Sequence, residues 1–223
     1  MPVNQQKYLI IKQELKGNVT LIAVSKTKPV EDILELYHLG QRDFGENYVQ
    51  EMVDKQAQLP NDIRWHFIGH LQSNKVKNIA SFVHLIHGVD SLKLLQEINK
   101  QAVKNNRVIN CLLQVYIARE ETKFGLDENE LSNLMENMET GELSNIRVTG
   151  FMGMASFSDD MELVRSEFKN LKRLFDKYHQ PQTSNLKPQI LSMGMSSDYK
   201  IAIEEGSTMV RIGSLLFGER QKP

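Results

Sequence analysis

Cysteine is almost missing: Cys111 is the only one in 223 residues, so no intrachain disulfide can form, and a reducing compartment suits the chain. No apolar run approaches the roughly 20 residues that a membrane-spanning helix requires. Net charge is nearly missing too. With 27 basic against 28 acidic residues, bulk electrostatics offers no hold on nucleic acid or an anionic membrane. From Met1 to Leu15 the chain carries Gln, Lys and Glu where a signal peptide would be apolar, so a cytoplasmic protein is expected. Pro- or Gly-rich linkers, low-complexity tracts and repeats are also lacking, and residues 1–223 are expected to form a single domain.

What the sequence does have is alternation. The apolar, β-branched run Val19–Val24 leads through Ser25-Lys26-Thr27-Lys28-Pro29 to Val30, Ile33, Leu34 and Tyr37 at helical spacing. Pro29 suits a first helical turn, and Gly40 stops the helix. Further strands are expected at Asp43–Gly45, Trp65–Ile68, His84–Val89, Ile109–Ile117, Val148–Met154, Gln189–Met193 and Val210–Gly213, with apolar helical stripes between them. Ser73 and Ser91 are candidate N-caps for the helices after the third and fourth strands. Eight β-then-α units imply an α/β fold with a parallel sheet. The count favours a (β/α)₈ TIM barrel over an open doubly wound sheet, with an extra N-terminal helix near Gln5–Leu15.

In such a barrel, functional groups stand at the C-terminal ends of the strands. Lys26 ends the first strand, Glu46 and Asn47 follow the second, and His70, Gln72 and Asn74 follow the third. Met154 to Ser156 follow the sixth, Gly194 to Ser197 the seventh, and Arg211 to Ser214 end the eighth. A lysine desolvated at the end of an apolar strand loses ammonium character and becomes a nucleophile towards an aldehyde. Strand position alone rather favours a Lys26 that extends into solvent, as Lys28 is expected to do. Ser192-Met193-Gly194-Met195-Ser196-Ser197 and Arg211-Ile212-Gly213-Ser214 are short turns of small residues. Their backbone N–H groups can approach an anion at a helix N-terminus, where barrels often bind phosphate. Spacing alone equally allows Gly194 and Gly213 to serve tight turns and nothing more. Lysine and turns together suit a phosphorylated aldehyde held at both ends.

Other chemistry is less supported. His66 and His70 have the spacing of metal ligands on one helix but fall across a strand end without Asp or Cys partners, so no metal site is expected. Cys111 lies in an apolar strand and reads as core. Lys123, in a polar loop on the functional side, stays open between site residue and solvated lysine. Arg165, Lys169, Lys172 and Arg173 line one side of an amphipathic helix and read as a solvated face rather than a nucleic-acid contact. A cofactor-free Schiff-base aldolase would need a carboxylate or second lysine beside Lys26, and no strand interior clearly supplies one.

Several segments resemble one family. They are Val24-Ser25-Lys26-Thr27-Lys28, Phe44-Gly45-Glu46-Asn47-Tyr48, His66-Phe67-Ile68-Gly69-His70-Leu71-Gln72, Gly150-Phe151-Met152-Gly153-Met154, Leu191-Ser192-Met193-Gly194-Met195-Ser196, Gly206-Ser207-Thr208 and Val210-Arg211-Ile212-Gly213-Ser214. In that order, from about Val19 to Arg220, they resemble the pyridoxal phosphate homeostasis proteins. The resemblance implies a barrel similar to the N-terminal domain of alanine racemase, with pyridoxal 5′-phosphate (PLP) held as a Schiff base on Lys26. It further implies cofactor contacts from Asn47, from Ser192, Met193 and Ser196 after the seventh strand, and from Gly213 and Ser214 after the eighth, with Arg211 facing the pyridine nitrogen. The implied role is intracellular PLP homeostasis and delivery, with PLP-requiring apo-enzymes and amino or keto acids as partners and little or no turnover. A donor-only arginine at the ring nitrogen leaves the ring a poor electron sink, which fits weak catalysis. A PLP-dependent amino-acid racemase is the alternative. It is disfavoured because the chain ends about ten residues past the eighth strand, at Pro223, with no room expected for a second domain.

Overall fold

A computed structural model of the chain describes residues 3–119, 124–138, 143–178 and 186–218. The first β-branched run becomes β1 (Thr20–Val24), followed by β2 (Asp43–Glu46), β3 (Arg64–Phe67), β4 (Leu85–Val89), β5 (Ile109–Gln114), β6 (Ile146–Met152), β7 (Leu186–Ser192) and β8 (Met209–Ile212). The strands pair in parallel in chain order, and β8 returns to β1 with Thr20 opposite Met209 and Ala23 opposite Ile212. The barrel is therefore closed, as the count of β-then-α units predicts.

Helices cover it outside. They are α1 (Gln5–Glu14) ahead of the first strand, then α2 (Val30–His38), α3 (Val49–Gln56), α4 (Val76–Ile79), α5 (Leu92–Lys104), α6 (Glu128–Met138), α7 (Met161–Tyr178), α8 (Tyr199–Glu204) and α9 (Ser214–Phe217). The α2 and α8 helices stop just short of Gly40 and Gly206, where the sequence places their ends. Ser91 caps α5, its hydroxyl oxygen accepting from the Leu94 N–H at 3.3 Å. Ser73 does not cap. It lies inside a single 3₁₀ turn, Ser73–Lys75, in which the Lys75 N–H already bonds the Gln72 carbonyl at 2.9 Å. Backbone pairing in that turn supplies the acceptor that a side-chain cap would have provided.

Strand limits move where the chain leaves the barrel. The fifth strand ends at Gln114 rather than Ile117: Val115 still gives its N–H to Met152 O at the end of β6, but its bridge partner is Leu126, whose carbonyl accepts from the Tyr116 N–H. The seventh starts at Leu186, so Pro188 falls inside it. There the β6–β7 register shifts between Val148 and Gly150, and a residue without an N–H is tolerated.

Burial is split into two layers. The larger core lies between sheet and helices, where α7 contributes Val164, Phe168, Leu171, Leu174 and Phe175 from one stripe. Each such side chain is worth about 1.5–3 kcal/mol when fully removed from water. Cys111 belongs to this layer, and burial pushes its thiol well above the usual range, as expected of a core cysteine. Inside the barrel a small apolar plug of Ile22, Leu85, Leu112, Met152 and Met209 shares the space with buried His66, His87, Ser192 and Arg211. No helix among the described residues is long and apolar enough to cross a membrane.

Candidate functional site

The loop after β1 is built around a buried charge cluster. Ser25 donates its hydroxyl to Glu46 Oε1 at 2.6 Å. From α3, the Lys55 ammonium reaches the Ser25 carbonyl at 2.8 Å, Glu46 Oε1 at 2.8 Å and Glu51 Oε1 at 2.7 Å. Glu51 in turn accepts from the Thr27 N–H at 2.5 Å, and Thr27 sits in the left-handed region at φ 62°. Lys26 is thus carried on a backbone pinned on both sides by α3. Its side chain is half-buried and lines a rim cavity of about 490 Å³.

That cavity gathers Lys26, Asn47, Ser196, Arg211, Gly213 and Ser214 from the ends of β1, β2, β7 and β8. Asn47 follows β2, and its Oδ1 is buried without a hydrogen-bond donor among the described residues, an unmet acceptor that a ligand donor can satisfy. Gly194 has φ +96°, and a Cβ there would stand 2.6 Å from Ala202 Cβ, so only glycine allows the turn after β7 to pack on α8. The Asp198 carboxylate accepts from the Met195 N–H at 2.5 Å and holds the same turn. Ser196 Oγ accepts from the Gly213 N–H at 3.3 Å, joining the two turns. A Cβ on Gly213 would lie 3.3 Å from Val24 Cβ and Val24 O, so a side chain there would crowd the close approach of β8 to β1.

Arg211 is the buried cation of the site. Its Nη1 donates to Ser192 O at 2.8 Å and to Ser192 Oγ at 2.6 Å, and its Nη2 donates to Gly153 O at 3.0 Å. Burial pulls its pKa down to about 10, which leaves it protonated at neutral pH. Ser192 therefore sits beneath Arg211 rather than on the cavity wall. Met193 is also apart from the six cavity residues: its side chain packs in the outer core and its N–H bonds Met209 O at 3.1 Å. Alternation along the strand explains this, since Ser192 faces the barrel interior and its neighbour must face the helices.

Lys28 departs from expectation. Its ammonium donates to Phe217 O at 2.7 Å, at the end of α9 where backbone carbonyls lack intrahelical partners, and it too lines the cavity. Glu46 stands at the rim after the second strand in the sequence reading, but its burial was unforeseen. It is fully buried on β2 and held by Ser25, next to Lys26, so a strand does bring a carboxylate close to that lysine's loop. Burial raises its pKa to about 7 against the opposing pull of Lys55 and Ser25, and Glu46 Oε2 has no hydrogen-bond partner among the described residues. Glu167 was equally unforeseen. From α7 it accepts from the Ser156 N–H at 2.7 Å, the Ser156 hydroxyl at 2.8 Å and the Arg119 N–H at 3.0 Å, tying together the loops after β5 and β6. Only its burial on a helix otherwise read as solvated could have revealed it. His66 does not pair with His70: it faces the barrel interior, while half-exposed His70 stands 3.5 Å from Asp90 at the rim. The basic face of α7 meets acidic residues, Arg165 with Glu204 and Glu205, Arg173 with Glu128. Lys123 lies outside the described residues.

Chemically, the cavity offers the amines of Lys26 and Lys28, the second already bonded to Phe217 O, a buried guanidinium, and an edge of small residues with hydroxyl and backbone N–H groups. Those are the groups needed to grip a phosphorylated aldehyde. The chain matches the family model described as alanine racemase, N-terminal domain, over residues 5–221. It is 46% identical over 202 residues to the pyridoxal phosphate homeostasis protein of Aquifex aeolicus, covering 90% of this chain and 87% of the relative. With the Schizosaccharomyces pombe protein of the same name it shares 39% identity over 218 residues, 96% of this chain and 90% of the relative. Among solved structures, PipY of Synechococcus elongatus with PLP bound superposes with a TM-score of 0.87 at 35% identity, over 96% of this chain and 99% of that one. Alanine racemase of Bartonella henselae shares the fold at a TM-score of 0.70 and 17% identity, over 97% of this chain and 60% of that one.

Proposed function

This chain belongs to the pyridoxal phosphate homeostasis protein family, and from that premise we propose that it binds PLP in the rim cavity as a Schiff base on Lys26. The observation that carries the reading is the convergence of Lys26, Arg211 and the Ser196–Gly213–Ser214 edge in a single cavity. Fit is supported by the orphaned Asn47 Oδ1 and by the Cβ-free approach of Gly213 to Val24. Ser196, Gly213 and Ser214 would hold the phosphate, Lys26 would supply the amine for the aldehyde, and Asn47 would add a polar contact. Arg211 would offer an N–H to the ring nitrogen. Ser192 and Met193 act from behind, Ser192 by anchoring Arg211 and Met193 by packing the strand end.

When bound, PLP supplies an aldehyde for an amine and a ring able to draw electrons from an attached carbon. The protein does little to exploit the second property. Arg211 is donor-only and stays charged, so it gives the ring nitrogen a hydrogen bond but not a proton. Among the described residues, the basic side chains on the cavity wall are Lys26, Lys28 and Arg211, clustered at β1 and β8, and the wall carries no carboxylate, histidine or tyrosine. The single barrel is accordingly a cytoplasmic carrier in PLP homeostasis, exchanging cofactor with PLP-requiring apo-enzymes or with amino and keto acids, with little turnover.

The test is spectroscopic and chemical. Purified protein mixed with PLP is expected to absorb as a protein-bound Schiff base, and borohydride reduction to fix the label on the Lys26 peptide. Absence of the band, or a label elsewhere, overturns the reading. Incubation with L-alanine in deuterated water is expected to give negligible α-proton exchange. Steady exchange at enzymatic rates would make the protein a racemase instead.

A further inference from the structure

A file of polar side chains runs through the interior of the barrel below Arg211. Arg211 Nη1 donates to Ser192 Oγ at 2.6 Å, and Ser192 Oγ stands 3.3 Å from His87 Nδ1. His87 Nε2 is 3.0 Å from His66 Nδ1, and His66 Nε2 is 3.0 Å from Asp43 Oδ1. Asp43 belongs to β2 and both histidines to neighbouring strands, so the file starts in the rim cavity and ends at a second cavity, of about 270 Å³, lined by Asp43, Arg64, His66 and His84. Arg64 closes that end by gripping both Asp43 oxygens at 2.7 and 2.5 Å.

Every proton in this file has one place to go. Asp43 remains a carboxylate, because Arg64 and His66 outweigh the burial that opposes its charge, and a carboxylate only accepts. His66 Nε2 must therefore carry a hydrogen. Burial keeps His66 and His87 neutral, so each ring has one donor and one acceptor nitrogen. With Nε2 of His66 donating, its Nδ1 accepts from His87 Nε2–H, and His87 Nδ1 accepts from the Ser192 hydroxyl. Ser192 is left with lone pairs alone to present to Arg211. Three of the five guanidinium N–H donors are consumed by Ser192 and Gly153, and two have no protein acceptor among the described residues.

We propose that His87 and His66 are positioning residues: the one-way chain Arg211→Ser192→His87→His66→Asp43 fixes the Arg211 guanidinium and so sets where its remaining donors meet a bound ring. The chain's effect on the ring rests on the PLP reading above; the direction of the chain does not. If His87 could not accept, the Ser192 hydroxyl would be free to turn its hydrogen towards Arg211 and the guanidinium would lose an anchor. The two interior histidines thus act on the site through Ser192, without touching the ligand, and the far mouth of the barrel becomes the end that sets the chain's polarity.

The first experiment uses the full chain without cofactor. Nitrogen-15 NMR of the histidine rings is expected to show His87 and His66 both neutral and protonated on Nε2. Protonation of His87 on Nδ1 overturns the proposal, whatever the protein binds. Arginine side-chain NMR is expected to show restricted rotation at Arg211 that is lost in His87→Leu and recovered in His87→Gln, whose amide can accept from Ser192 and donate to His66. In PLP titrations His87→Leu is expected to bind about tenfold more weakly, the loss of one hydrogen bond to a charged group, with a displaced absorption maximum that His87→Gln restores. A folded His87→Leu with wild-type Arg211 dynamics and a wild-type cofactor spectrum overturns the proposal. Should His87→Leu not fold, Ser192→Ala removes the same link and is held to the same outcomes. If the wild-type protein binds no PLP, the PLP reading fails while the ring tautomers and Arg211 dynamics still decide the chain.

Discussion

A single buried carboxylate shows how far the site's electrostatics can depart from surface rules. Glu46 is fully buried, accepts from Ser25 and Lys55 through one oxygen, and leaves the other without a partner among the described residues. Burial raises its pKa to about 7, above the value near 4.5 it has in an unfolded chain. A raised acid favours folding in its protonated form, so its contribution is fully present below pH 4.5 and is lost as pH rises through 7. Glu46→Gln is permanently neutral and escapes that loss. Its stability relative to wild type should therefore improve between pH 5 and pH 8, by at most about 3 kcal/mol. Urea unfolding of both proteins at the two pH values measures it; a constant difference would mean that Lys55 keeps Glu46 ionised throughout. Lys55 has the Ser25 carbonyl and Glu51 as remaining partners, so the variant is expected to fold.

At the scale of elements, the turn formed by β8 and α9 depends on a lysine from the loop after the adjoining strand β1. Lys28 leaves the loop after β1 and bonds the last carbonyl of α9 at Phe217, so two segments of the cavity rim share a strut. Lys28→Met keeps the side chain's apolar stem and removes the bond. The expected cost is about 1 kcal/mol, seen as a fall of about 2–4 °C in Tm, together with weaker binding of inorganic phosphate. A thermal melt and a phosphate titration check both parts, and unchanged phosphate affinity would detach α9 from the site. The strut was invisible in the sequence because 189 residues separate its ends. What local pattern does encode came through clearly: the strand that delivers Lys26, the glycine turns after β7 and β8, and the Ser91 cap. Ser73 misled because its hydroxyl has the right chemistry, but the 3₁₀ turn had already satisfied the backbone. Glu46 and the interior histidines were unreadable for a related reason. Their meaning comes from partners on neighbouring strands, and strand adjacency gives no sign of which side chains meet inside a closed barrel.

Across the whole molecule, the interior polar file makes acid stability a property of the barrel rather than of its surface. His66 and His87 are both held neutral by burial. Unfolded, they would take up protons from about pH 6.5 downward, so each contributes stability at neutral pH that fades as pH falls from there. Asp43 acts over a lower range. Arg64 and His66 hold it below the usual carboxylate range despite its burial, so its contribution is present above about pH 4 and disappears as acid forces a proton onto it. Asp43→Asn leaves an oxygen to accept from His66 but no charge for Arg64. At pH 7 the variant should be destabilised by about 2 kcal/mol, less than the full cost of breaking a buried pair. Towards pH 3 the gap should narrow, because wild-type Asp43 is then beginning to lose its own advantage. Both proteins should keep the same decline between pH 6.5 and pH 5, since that limb belongs to the histidines. Denaturant titrations across the range separate the two limbs. A gap that had not narrowed at pH 3 would show that Asp43 holds β2 to β3 by shape alone, and that the chain leading up to Arg211 has no charged terminus to give it direction.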